Sequence, residues 1–207
     1  MNEPEHIVVS ARNLSKRYTS GWIFRGIDLR GTRGESIAIT GPNGSGKSTL
    51  CEILAGLRHP TGGTVCMSAG GRELTAAQRR LAVGFTSPRL ALYGDLSAFE
   101  TVEFICGSRG VPSMRAQSLC ARMGLDAHIH KRVRVYSSGM RQRLKIALAL
   151  AHTPSVLLLD EPGTNLDAPG RLVLAELIEE ARPSTLIIIA TNEESEARLC
   201  AGTVRLA

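Results

Sequence analysis

The stretch Gly41-Pro42-Asn43-Gly44-Ser45-Gly46-Lys47-Ser48-Thr49 decides how this chain is read. It fits the pattern G-x-x-x-x-G-K-[ST], in which glycines let the backbone wrap a polyphosphate with successive N–H groups pointing inward. In such a loop Lys47 places its ammonium between the β- and γ-phosphates, and the Ser48 hydroxyl completes an oxygen shell around Mg²⁺. A plain Gly/Ser turn is the alternative, and the flanks argue against it. Glu35-Ser36-Ile37-Ala38-Ile39-Thr40 reads as a buried strand running into the loop, and Leu50, Ile53, Leu54 and Leu57 recur at helical spacing after it. A helix from Lys47 to Leu57 points its positive end at the phosphates.

Working outward, 207 residues suit one domain carrying an insertion, with 43% hydrophobic and 21% charged residues as in an ordinary globular chain. The longest apolar runs, Thr185 to Ala190 and Val156 to Leu159, are strand-sized rather than membrane-spanning. The start Met1-Asn2-Glu3-Pro4-Glu5 is acidic and polar, unlike a signal peptide, so a cytosolic chain is expected. Five scattered cysteines without C-x-x-C spacing argue against a disulfide framework or a zinc site. The net charge of +6 suits nucleic acid, an anionic membrane or a nucleotide, but it is spread between Arg109 and Lys145, as on a solvated face.

His6 to Ala11 and Phe24 to Leu29 read as antiparallel strands joined by a loop that holds Tyr18. Tyr18 either stacks on a nucleobase or, with Trp22, covers the sheet. Thr64 to Met67 is a further short strand, and Leu81-Ala82-Val83-Gly84-Phe85 a buried one. From about residue 87 to 152 the pattern turns helical, over Ala98 to Ile105, Met114 to Met123 and Gly139 to Ala151. Within it, Ser137 and Ser138 precede a helix, as a cap or as an anion site. Val156-Leu157-Leu158-Leu159 then ends in Asp160 and Glu161. Because strand residues alternate faces, Asp160 suits the metal and Glu161 a water in line with the γ-phosphate. Arg171 to Arg182 is an amphipathic helix, Thr185 to Thr191 a strand of parallel-sheet type with Asn192 at its carboxyl end, and Gly202 to Leu206 a last strand.

This order of pieces, from about Ile7 to Leu206, resembles the ATP-binding cassette family, the nucleotide-binding subunits of ABC transporters. The resemblance implies an α/β fold: a P-loop NTPase core with a mixed, mainly parallel sheet, an N-terminal antiparallel β-subdomain and an inserted helical subdomain within one ATPase domain, 1–207. It implies Tyr18 as the adenine-stacking ring, Gly41 to Thr49 as Walker A, and Ser137-Ser138-Gly139-Met140 as the signature. Asp160 and Glu161 become Walker B with its catalytic glutamate, and Asn165-Leu166-Asp167 the D-loop. ATP and Mg²⁺ are the implied cofactors. The implied partners are a second copy, paired head to tail in an ATP-dependent dimer, and an integral membrane transporter subunit that holds the chain at the inner face of the cell membrane. No direct nucleic-acid contact is expected.

Three positions depart from the family pattern. Thr86-Ser87-Pro88 falls where a glutamine is usual, leaving Ser87 as the side chain able to touch the metal or its water. Asn192 replaces a histidine and cannot carry positive charge, and the signature reads Tyr136-Ser137-Ser138-Gly139-Met140. Hydrolysis through Glu161 and Lys47, with Asn192 at the γ-phosphate, is therefore expected to be slow. A likeness to small haem-export ATPases, and a chain without a C-terminal extension, points to export. The competing readings are a soluble non-transport ABC ATPase and a degenerate ATP-binding partner in a heterodimer. The first fits poorly, since no sustained heptads and only one cassette occur here.

Overall fold

The structure, a computed structural model, describes residues 7–207; the polar N-terminus and the expected strand start at His6 lie outside the described residues. The chain opens with β1 (Ile7–Tyr18) and β2 (Gly21–Thr32), paired antiparallel through to Tyr18 opposite Gly21. Tyr18 is therefore the last residue of a long strand and not part of a loop. The expected strand stops early because register shifts between Ala11 and Leu14, and again on to Lys16 and Arg17, break the two-residue alternation while the ladder continues.

Next come β3 (Ser36–Thr40), α1 (Lys47–Leu54), β4 (Gly62–Ala69), β5 (Arg72–Glu73), α2 (Ala76–Ala82) and β6 (Val83–Thr86). Helix α1 stops short of Leu57, which is 62% exposed. Helix α2 takes Leu81 and Ala82 from the expected strand. Its signal was the capping box of Thr75 and Gln78, in which each side chain meets the other's backbone N–H. Helices α3 (Ala98–Arg109), α4 (Met114–Arg122) and α5 (Ser138–Leu150) follow, all between β6 and β7 (Val156–Asp160). The chain then runs through α6 (Ala168–Ala181), β8 (Leu186–Ala190), α7 (Glu194–Ala197) and β9 (Gly202–Arg205). Among the described residues no helix is long and apolar enough to cross a membrane.

The strands sort into two sheets, as the expected antiparallel subdomain and α/β core require, but the core sheet is parallel throughout rather than mixed. One has the order β2-β1-β4-β5 with every pairing antiparallel; the other, β6-β7-β8-β3-β9, has every pairing parallel. Parallel neighbours need long crossovers, which α1 and the helical segments supply. The parallel strands are buried on both faces. Val156 and Leu158 of β7, with Leu186 and Ile188 of β8, pack with Leu50, Ile53 and Leu54 of α1 and with the antiparallel sheet. The alternate residues Leu157, Leu159, Ile187 and Ile189 pack on α5 and α6 in a cluster continuous with α3 and α4. Burying each such side chain contributes about 1.5–3 kcal/mol. The helices between β6 and β7 thus share their core with the Leu157 and Leu159 face, whereas Asp160, two residues on from Leu158, falls on the face that meets α1.

Candidate nucleotide site

The segments carrying the expected site residues leave the carboxyl ends of parallel strands: 41–49 after β3, Ser87-Pro88 after β6, Glu161 after β7 and Asn192 after β8. That edge is where open α/β sheets bind ligands. There an open pocket of about 580 Å³ is lined by Tyr18, Ile23, Asn43, Gly44, Gly46, Lys47, Ser48, Thr49, Arg58, Pro88, Arg89, Asp160 and Glu161.

The phosphate loop is shaped by contacts that exclude side chains. Gly46 has φ +98°, and a Cβ there would fall 2.3 Å from Cγ2 of Ile23, so the loop can lie on β2 only with glycine at this place. Gly41, at φ +148°, passes so close to the Leu206 carbonyl that a Cβ would sit 2.6 Å from it. Lys47 is 5% exposed, and its Nζ donates to the carbonyls of Gly41 (2.8 Å) and Pro42 (3.1 Å). The acceptors given to the ammonium are thus neutral, so its charge is available to an anion such as phosphate. Ser45 does not line the pocket; its buried Oγ has no hydrogen-bond partner and lies against Gly41.

Asp160 is 1% exposed and neither carboxylate oxygen has a hydrogen-bond partner. Burial pushes its carboxyl up to about 6; the nearby Ser48 hydroxyl and, more weakly, Arg89 oppose the shift, while Glu161 adds to it. A buried carboxylate without a partner is costly as an anion and calls for a cation. Among the described residues no group of three or more His, Cys, Asp or Glu could hold a metal ion. The donor set is one carboxylate and one hydroxyl beside a phosphate loop, which fits Mg²⁺, an ion that keeps waters and shares phosphate oxygens.

Glu161 breaks the strand alternation. It adopts φ +46°, in the left-handed region that costs a side-chain-bearing residue about 1–2 kcal/mol, and its N–H donates to the Ala190 carbonyl at 2.8 Å. The chain turns sharply there, so Asp160 and Glu161 line one pocket although they are neighbours in sequence. The segment beyond is held from two sides. Gln142 of α5 donates to the Pro162 carbonyl (2.9 Å), Arg143 pairs with Asp167, and the buried Glu196 of α7 accepts from the Gly163 N–H (2.6 Å).

Tyr18 lies at the other end of the pocket, with Lys16 Nζ 5.0 Å and the Arg58 guanidinium 5.7 Å from its ring centre. Arg58 also pairs with Glu52 at 2.6 Å. Trp22 is not part of the pocket and is flanked by Arg17 and Arg25.

Other expected residues lie outside the pocket lining. Asn192 Nδ2 donates to Asn43 Oδ1 at 3.1 Å, tying β8 to the phosphate loop. Ser137 caps α5, its Oγ accepting from the Met140 N–H at 3.1 Å; Ser138 is exposed, and a Cβ on Gly139 would fall 2.6 Å from the Asn165 carbonyl. Ser87 does not face the pocket: it is 4% exposed and its carbonyl accepts from Lys145 and from the Leu90 N–H. A proline at 88 turns the chain so that Pro88 and Arg89 form the wall instead. Ile23, Arg58 and Arg89 were not singled out in the sequence; Arg89 could have been noticed as a cation directly after the position lacking glutamine.

Fold and site together define a P-loop ATP-binding cassette. The family profile described as ABC transporter matches residues 24–164, and the chain belongs to the ABC transporter family. It is 33% identical over 189 residues to the uncharacterised ABC transporter ATP-binding protein YxlF of Bacillus subtilis, covering 89% of this chain and 62% of YxlF. It is 35% identical to the lipoprotein-releasing system ATP-binding protein LolD of Pseudomonas syringae (96% of this chain, 94% of LolD). It is 37% identical to the aliphatic sulfonates import ATP-binding protein SsuB of Pseudomonas fluorescens (97% and 73%). A bacterial ABC transporter cassette solved as a dimer superposes with a TM-score of 0.84 at 25% identity, over 96% of this chain and 94% of that one.

Proposed function

We propose that this chain binds Mg²⁺–ATP and hydrolyses it as the ATP-binding subunit of a membrane transporter. One observation carries the reading: the buried Asp160 carboxylate has no partner and stands beside Ser48, in a pocket where the Lys47 ammonium meets only backbone carbonyls. A metal-bound triphosphate satisfies all three groups at once. Lys47 and the loop N–H groups then hold the β- and γ-phosphates, Tyr18 offers its ring to the base, and Glu161 orients the attacking water and takes its proton. Ser48 and Asp160 would hold Mg²⁺, which would supply charge neutralisation at the phosphates.

One chain's pocket is not lined by Ser137, Ser138 or Gly139, the cap and first two residues of α5. Two cassettes therefore pair head to tail, each bringing the start of α5 to the other's nucleotide, and an integral membrane subunit keeps the pair at the cytoplasmic face of the membrane. Relatives of similar identity are named for release and for import. Export, the direction the sequence favoured, rests on its likeness to haem-export ATPases and is tested by finding which membrane subunit co-purifies.

Calorimetric titration with Mg²⁺–ATP tests the binding. The unaltered chain binds, and Lys47→Ala weakens binding by about tenfold or more, the worth of a charge-assisted phosphate contact. Absence of binding by the unaltered chain, or an undiminished affinity in Lys47→Ala, removes the reading.

A further inference from the structure

The pocket wall contains three cations, and two of them are engaged. Lys47 donates to its own loop, and Arg58 pairs with Glu52 beneath Tyr18. Among the described residues Arg89 makes no hydrogen bond and no ion pair within 4 Å, yet its charge acts on Asp160, which places it at the carboxylate end of the pocket.

Its position is built. Ser87, Pro88, Arg89 and Leu90 form a turn closed by the Leu90 N–H donating to the Ser87 carbonyl at 3.1 Å, with proline at the second place, where its fixed φ suits the turn. The buried Lys145 of α5 reaches the same turn and donates to the Ser87 carbonyl (3.1 Å) and the Pro88 carbonyl (3.0 Å). An ammonium buried among two carbonyls holds the turn's backbone, and the turn presents Arg89 at the pocket while burying Ser87. The neutral Asn192, meanwhile, is bonded to Asn43.

We propose that Arg89 reads the terminal phosphate of the bound nucleotide, so that this pocket distinguishes a nucleoside triphosphate from a diphosphate through a guanidinium carried on the Lys145-clamped turn. The proposal rests on the nucleotide-binding reading above. Arginine suits the task, since its planar fork can donate two parallel bonds to one phosphate and it keeps its charge at any working pH. Lys145 is a positioning residue that acts through the turn.

The test is calorimetry at a protein concentration where gel filtration shows monomer, with Mg²⁺–ADP and with the Mg²⁺ complex of β,γ-imido-ATP as probes. Arg89→Ala is expected to weaken binding of the triphosphate analogue about tenfold and to leave ADP within about twofold, with Arg89→Lys, which keeps the charge but loses the fork, retaining only part of the preference. Lys145→Met is expected to lower the preference in the unaltered chain and to add nothing in Arg89→Ala, which a merely structural loss would not reproduce. Equal loss for both nucleotides, or no loss for either, overturns the role of Arg89 while leaving nucleotide binding intact. Failure of the unaltered chain to bind either probe overturns the parent reading instead.

Discussion

Glu161 shows what a single residue can tell at this site. Its left-handed φ is strained for a side chain of that size, and the surroundings hold it there through the Ala190 carbonyl and the Thr164 N–H, which donates to Glu161 at 3.1 Å. Strain that brings a carboxylate beside Asp160 is consistent with a general base aimed at water. Glu161→Gln is expected to lower turnover by about a hundredfold or more while leaving the Kd for Mg²⁺–ATP within about threefold. Equal steady-state rates for the two proteins would take Glu161 out of the mechanism. Asp160 and Ser48 were legible from the motif alone, because spacing puts them on a strand end and a loop whose chemistry is local. Arg89 was not legible, because its place in the pocket wall depends on a turn held by Lys145, fifty-odd places away in the sequence.

At the scale of elements, the end of α5, the start of β6 and the end of α3 meet at His152. Its Nε2 lies 3.2 Å from the Val83 carbonyl and 3.0 Å from Arg109, and its Nδ1 is buried without a partner. Burial, and then the Arg109 charge, hold the imidazole down at about 4 against an ordinary 6.5. Above pH 6.5 neither folded nor unfolded chain binds this proton, so the stability is fully present. As the pH falls from 6.5 towards 4 the unfolded chain takes the proton first, and stability is lost. Between pH 7 and pH 5 the unaltered protein should lose about 1–2 kcal/mol more than His152→Gln, after allowance for solvent screening. Urea unfolding at the two pH values measures the difference; identical losses would contradict it. The elements themselves were read well where the apolar signal is periodic, as in α5, or continuous, as in β7, which is buried along its whole length. They were misread where the signal was neither: β1 runs on through its bulges, and α2 announces itself by a capping pair and buries none of its residues.

For the molecule as a whole, the start of α5 does not line the pocket it is expected to serve, and the head-to-tail pairing proposed above would bring it there from a second chain. Lys47→Ala spoils a chain's own pocket but leaves its signature intact. Ser138→Arg places bulk on an exposed position of the signature and leaves the phosphate loop intact. Each variant alone should fall to about a hundredth of normal turnover or less, and an equimolar mixture should regain activity because half the mixed sites combine two undamaged parts. A mixture as inactive as its components would exclude head-to-tail pairing. The binding of α5 to the segment after β7, through Gln142, Arg143 and the close approach of Gly139 to Asn165, gives such a dimer a direct route from one chain's signature to its own carboxylates.

By itself the sequence determined the phosphate loop, most of the order of strands and helices around it, and the candidate groups for phosphate and metal. Those features are local: a glycine pattern, an apolar run and a carboxylate at its end are properties of neighbours in the chain. The tertiary structure alone decided that the core sheet is parallel throughout, that Tyr18 ends a strand, that Ser87 turns inward and that Arg89 faces the pocket. Each of these depends on contacts between residues distant in sequence, where hydrogen-bond register, burial of Lys145 and exclusion of a Cβ outweigh any preference a short stretch expresses alone.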